Sequence, residues 1–530
     1  MSQKPDIFLG LICAAGTDLT EVKQQLRAQL AVVGYSVEEI KVSSAIAEAL
    51  SLAEESDEYE RTKGLMDAGD LIRASSDNGS GVASLIVTAI RSRKGDSEKP
   101  SSTAYLIDSL KNPKELEVLD QLYGRNFYSI SVFSTEFERR EILANKIARS
   151  RKRPLEEKHS ELADQLIRRD QKGRKSTGQS VSDTFHRADF FTDSVDVADP
   201  INRFVRLIFG DPFITPTRDE FLMFVAKANA LRSCDLSRQV GAVIADRSGS
   251  VVATGCNEVP YPGGGFFVEG DDASIGDNRD KEERHDPNFN EVKRSISELV
   301  GIIQGAGYLN ADHDPDKLAD ELLHGEHREE MKDARLRNLI EFSRVVHAEM
   351  QALSQAARNG RPVEGASLYC TTYPCHLCSR HIISSGIREV VYIEPYPKSL
   401  TATLYHREIR TDESESGLGA GDARVLFRPF KGISPILYQR VFAYRKRKDE
   451  YGAIAKWLPD VSVPVGATAR AADPEFELFT AKHIATVIEK IHSTENGNHH
   501  NNGQGEGGDA GVGAAVTDST GQGSSKQDER

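Results

Sequence analysis

The sequence predicts an α/β protein built as two sheet domains in series. Two observations carry this. The N-terminal half alternates short apolar runs with amphipathic stretches, the pattern of strands and covering helices in a parallel sheet. The second half places two clusters of metal-ligating residues, HAE at 347–349 and PCHLC at 374–378, each where a helix should start, with a strand between them. At 530 residues the chain is too long for one ordinary core. The expected division is a first domain over 1–195, a second over 200–493 with an insertion at about 260–340, and a tail over 494–530.

The elements justify this in order. The run DIFLGLICAA is a buried strand, and DLTEVKQQLRAQLAVVG after it has helical spacing and a closing glycine. YSVEEIKVS, STAYLIDSL and NFYSISVFS read as further strands, and TEFERREILANKIARSR as a helix. Arg149 to Lys175 is a basic stretch mixed with acids. It reads either as helices with a solvated face or as a phosphate or RNA contact. In the second half, TRDEFLMFVAKANALRSC is an amphipathic helix with Thr217 as N-cap. QVGAVIAD and VVATGCN flank the turn RSGS as a hairpin. The rest follows as helix VVHAEMQALSQAARNG, strand ASLYCTT, helix PCHLCSRHIISSG and strand IREVVYIEP. The tail is rich in Gly, Asn, Ser and Asp and has nothing to bury, so it is expected to be disordered.

Composition narrows the function. Hydrophobic content of 38% and charged content of 28% suit a soluble globular chain. No apolar run reaches a membrane span, and the N-terminus lacks a signal-peptide layout, so a cytoplasmic location is expected. The net charge of −14 argues against a nucleic-acid coat protein. Six cysteines are too few for a disulfide scaffold, and in a reducing compartment a close pair means metal or redox chemistry.

Cys375 and Cys378 alone fit half a structural zinc site, a redox pair or part of a catalytic site. His347 supplies a third ligand. Three protein ligands leave one zinc position for water, and zinc lowers the pKa of such a water to about 7. Glu349, two residues from His347, is placed to move protons.

HAE followed by PCHLC resembles the signature of the zinc-dependent cytidine/deoxycytidylate deaminases. ALRSCDLSRQVGAVI and VVATGCNEVP are similar to the start of deoxycytidylate deaminases. That resemblance implies substrate binding by Asn257, and it also points to Arg232, Ser233 and Gln239. For each of these a structural role stays open: Arg232 as a surface ion-pair residue, Asn257 as a turn residue.

The loop GLICAAGTDL resembles a degenerate P-loop. Gly10 and Gly16 supply glycines, but Thr17 stands where the lysine belongs, Asp18 follows it, and Leu11 holds the first-glycine position. Backbone amides could still cradle phosphate. Asp108 is either a Walker-B-like acid or an ordinary strand-end aspartate. Whole-chain features (GTDL, AYLIDSLKNPKE, FGDPFITPTRDEF, YIEPYPKSL) resemble the anti-phage dCTP deaminases. That resemblance implies a P-loop-like parallel-sheet domain joined to a cytidine-deaminase-like α/β/α domain. It implies zinc as cofactor, dCTP and dCMP as substrates, depletion of the dCTP pool in phage defence, a homo-oligomer, and in some members a regulatory small RNA. Two other readings stay open: a tRNA or single-stranded DNA deaminase, and a nucleotide-binding regulator with structural zinc. A second metal site from His285, His313, His324 and His327 in the insertion is set against plain surface histidines.

Overall fold

The structure, a computed structural model, describes residues 4–501 apart from 77–78, 96–99, 172–177, 271–273, 275, 284–285, 311, 333, 397, 412–421 and 469–473. The expected tail beyond 501, the end of the basic stretch at 172–175 and His285 lie outside these residues. Among the described residues no helix is long and apolar enough to cross a membrane.

The first sheet holds β1 (Ile7–Cys13), β2 (Ser36–Lys41), β3 (Thr103–Leu110), β4 (Phe127–Phe133) and β5 (Phe190–Asp193) in the order β5-β4-β1-β3-β2, all parallel. Every residue of β1 is buried, as a central parallel strand covered on both faces requires. One face packs Leu9 and Leu11 against Val22 and Leu26 of helix Thr20–Val32; the other packs Phe8, Ile12 and Ile107 beneath helix Gly81–Lys94.

The second sheet holds β6 (Gly241–Ala245), β7 (Val251–Cys256), β8 (Ser367–Thr372), β9 (Glu389–Glu394), β10 (Ile409–Thr411) and β11 (Val425–Pro429) in the order β10-β11-β9-β8-β6-β7. β6 and β7 form the expected antiparallel hairpin, and β8, β9, β11 and β10 run parallel. Helix Arg218–Ala230 opens this half with Thr217 as N-cap in a reciprocal capping box with Glu220.

The chain does not stay in the second sheet to its end. β12 (Gly432–Ile433) pairs antiparallel with β5 and completes the first sheet. The Thr468 amide donates to Asn126 Oδ1 at 2.9 Å. Helix Pro474–Asn501 lays Ile484, Val487 and Ile491 into the core shared with helix Gly81–Lys94. β12, Thr468 and the 474–493 part of this helix, expected with the second domain, therefore pack on the first sheet's side, and 494–501, expected in the disordered tail, continue the helix. Buried Glu220 ties the halves together: it accepts from the Ile433 amide at 2.8 Å and from Arg203 at 2.6 and 2.7 Å.

The expected insertion carries helices Pro287–Gly305 and Pro315–His324, with a small core of Val292, Ile296, Val300, Ala319 and Leu323. A bridge between Glu258 and Val346 closes its neck. His327 faces Glu326 and Glu330, and His324 packs on Phe289. Of the expected basic stretch, Arg151 pairs with Asp57 and Arg169 with Asp67 and Asp70.

Candidate metal centre and active-site cavity

Two helices start side by side on the second sheet. His347 is the N-cap of helix Ala348–Arg358, and Cys375 is the N-cap of helix His376–Ser384, both in extended backbone. Neither side chain makes a capping hydrogen bond to its helix; the two turn toward each other and toward Cys378 instead. Cys378 lies in the first turn of the second helix. His347 Nδ1 sits 3.3 Å from Cys375 Sγ and 3.4 Å from Cys378 Sγ.

A glycine permits this arrangement. A Cβ on Gly255 would lie 2.2 Å from the Ala348 carbonyl oxygen, so only glycine lets β7 touch the start of the helix that carries His347 and Glu349. Ala348 and Ala352, both fully buried, keep the same contact thin. Ser399 Oγ donates to the Pro374 carbonyl at 2.9 Å and so braces the turn ahead of Cys375.

The donor set fits zinc. One imidazole nitrogen and two thiols have their donor atoms all within 4.8 Å of one another. Nitrogen and sulfur ligands on one tetrahedral zinc stand about 3.5 Å apart. One thiol is already biased: Cys375 is pulled down to about 4, chiefly by its hydrogen bond with Cys378 and then by His347, against the opposing effect of burial, while Cys378 is pushed up by the same hydrogen bond and by its burial. Among the described residues no fourth His, Cys, Asp or Glu joins the group. Zinc is the cofactor of this site, with His347, Cys375 and Cys378 as the residues that would hold it.

Glu349 is 4% exposed and forms part of the wall of a cavity of about 280 Å³ that also reaches His347 and Cys375. Burial pushes its carboxyl above the usual carboxylate range, against the pull of His347. Tyr373, Thr372 and Tyr396 line the same cavity, with Arg238, Val240 and Asn257. Asp280, Asp286, Asn288 and Ile340 line it from the insertion.

The other substrate-binding expectations divide. Asn257 is on the cavity wall, but its amide holds backbone: Oδ1 accepts from the Val240 amide at 2.7 Å and Nδ2 donates to the Arg238 carbonyl at 2.8 Å. It shapes the loop that carries Arg238. Arg232 is not among the residues lining the cavity and stacks on Phe266 at 4.5 Å. Ser233 and Gln239 are also outside the lining and brace the same loop, the Gln239 side chain donating to the Ser233 carbonyl at 2.8 Å. Arg238 and Tyr396 were missed by sequence reasoning. Their signal was present only as DLSRQ beside EPYPK, two loops 158 residues apart (396 − 238) that the sheet brings together.

The N-terminal loop differs from a phosphate cradle. Gly10 lies inside β1, where a Cβ would meet Leu110 at 2.7 Å, so its glycine serves strand packing. Gly16 turns at φ +90° against the Arg139 carbonyl. The Ala15 amide donates to Asp170 at 2.5 Å, and Lys111 pairs with Asp170 at 3.1 Å. Thr17 Oγ1 is buried without a partner, and Asp18 accepts from the Thr20 amide and hydroxyl. Asp108 is ion-paired to Lys23 at 2.8 Å. The neighbouring cavity is lined by Asp18, Glu21 and Glu138 and by no Lys or Arg.

Residues 216–394 match the family model for the cytidine and deoxycytidylate deaminase zinc-binding region. Deoxycytidylate deaminase of Enterobacteria phage T2 is 48% identical over 54 residues, covering 10% of this chain and 29% of that protein. The human deoxycytidylate deaminase is 32% identical over 120 residues, covering 22% of this chain and 61% of that protein. The chain thus spans less than a third of the phage relative's length and under two thirds of the human one's. A dCMP deaminase of cyanophage S-TIM5, solved with dCMP and dUMP, overlaps 41% of this chain and all of its own at 18% identity and a TM-score of 0.22. The chain carries a deaminase-type zinc-binding domain.

Proposed function

We propose that the chain hydrolyses the exocyclic amine from the cytosine of a free deoxyribonucleotide, giving the uracil nucleotide and ammonia. The observation that carries this is a group of three metal ligands, with no fourth among the described residues, beside a buried carboxylate in the wall of a cavity. Zinc held by His347, Cys375 and Cys378 supplies a Lewis acid that makes water nucleophilic near neutral pH. Glu349 does the proton work. Its burial suits a carboxyl that takes a proton from the attacking water and returns protons to ring N3 and to the departing amine. Oxygen bonds to C4, the C4–N4 bond breaks, and one water is consumed for each ammonia released. Asn257 holds the loop that presents Arg238 to an anionic substrate.

The matched relatives are named as deoxycytidylate deaminases, which supports a cytosine deoxynucleotide. The wider resemblance to anti-phage dCTP deaminases supports dCTP beside dCMP, with pool depletion during phage infection as its consequence. On that reading the first domain is regulatory. The carboxylates of Asp280 and Asp286 in the cavity lining argue against a polyanionic nucleic-acid strand as substrate.

The test is a panel. Zinc-loaded protein is incubated separately with dCTP, dCMP, CTP and deoxycytidine, and each uracil product is followed. Conversion of dCTP and dCMP is expected. Stoichiometric zinc with no turnover of any of the four would overturn the reading in favour of a structural metal.

A further inference from the structure

The active-site cavity is electrostatically one-sided. Among the described residues its lining includes Asp235, Asp286, Glu349 and Asp280, the last ion-paired to Arg344 at 3.1 Å, and Arg238 is the one Arg or Lys in that lining. A phosphate chain entering toward the insertion would meet carboxylates. Arg238 marks another way out. It lines a second crevice of about 300 Å³, and Asn288, Ile340 and Tyr396 line both spaces with it. The two cavities therefore share a wall of four residues.

Beyond that wall the sign of the charge reverses. Arg337 and Lys398 join Arg238, against the carboxylates of Glu394 and Asp183. The cations are held in place. Glu394 Oε1 accepts from Arg238 at 3.1 Å while its Oε2 accepts from Thr372 at 3.2 Å, and the Tyr396 ring lies 5.5 Å from the guanidinium. Arg337 donates to the neutral Arg328 carbonyl at 3.0 Å, which leaves its charge uncompensated by that contact. Lys398 donates to Asn338 Oδ1 at 2.6 Å. The far wall comes from the other domain: Ser182 and Asp183 on the short helix Val181–Phe185, which precedes β5.

We propose that this crevice is the distal phosphate subsite of the enzyme. A nucleotide with its cytosine against Glu349 runs its phosphates past Arg238, and Arg337 and Lys398 take the outer phosphates of a nucleoside triphosphate. Guanidinium and ammonium groups are the side chains suited to phosphate oxygens. The first domain then takes part in substrate selection directly, because Asp183 opposes the outer phosphates and weakens their binding. The direction of the nucleotide rests on the deamination reading; the affinity of the crevice for phosphates does not.

The experiment is calorimetric binding of dCTP and dCMP to the full-length, zinc-loaded Glu349→Ala protein, which does not consume the ligand. Adding Arg337→Glu and Lys398→Glu is expected to weaken dCTP about thirtyfold and dCMP less than about threefold. Asp183→Asn is expected to tighten dCTP about threefold, a gain that misfolding cannot mimic. Equal loss for both nucleotides, no loss for dCTP, or no binding of dCTP at all would overturn the subsite. If the wild type deaminates nothing while this charge dependence is seen, the deamination reading falls and the crevice stands as a triphosphate site.

Discussion

Two strand-to-helix junctions in this chain start alike and end differently. After β8, the chain turns into a helix whose first residues present Cys375 and Cys378 to His347 and to a cavity. After β1, the chain turns through Gly16 into a helix whose approach is filled by the chain's own Asp170, clamped by the Ala15 amide and Lys111. Both junctions offer backbone amides and a positive helix end. The difference lies in which groups converge there. At β8 they are an imidazole and two thiols suited to one metal ion; at β1 a buried carboxylate takes the position an anion would take. A strand end and a helix start make a site only when the remaining chain leaves the space open.

The comparison is sharpest when the metal is removed. Chelation, or Cys375→Ser with Cys378→Ser, is expected to abolish bound zinc and with it all turnover, read by metal analysis and product formation. The opposite manipulation at β1 should act on stability. Asp170→Ala leaves Lys111 without its buried partner and should cost about 3 kcal/mol in denaturant unfolding, with deamination by the folded protein retained. Gly255→Ala drives a methyl into the Ala348 carbonyl and should cost about 2 kcal/mol, and it should also lower turnover because the displaced helix carries His347 and Glu349. Asn257→Ala removes two hydrogen bonds from the Arg238 loop. It should cost about 1 kcal/mol of stability and raise KM more than it lowers kcat.

What was legible in the sequence was local. HAE and PCHLC declare their helix starts and ligands within a few residues, so the zinc trio could be read directly. The N-cap at Thr217 and the β6–β7 hairpin are short-range patterns of the same kind. What escaped was long-range. Nothing around Gly432 announces pairing with β5, some 240 residues earlier in the chain, because a two-residue edge strand has no pattern of its own. Asp170 reads as one acid among many in a charged helix, and its contact with Ala15 spans 155 residues. Arg232 and Arg238 look equivalent in ALRSCDLSRQ; only the packed loop puts one against Phe266 and the other into the cavity.

The central claim is that an open three-ligand zinc site and Glu349 act together on cytosine. Its most direct test is the rate of dCTP and dCMP deamination by zinc-loaded Glu349→Ala protein beside the wild type. The account predicts full zinc occupancy in both and a rate reduced by about 10²- to 10⁴-fold in the variant. Unchanged turnover with zinc in place would contradict it.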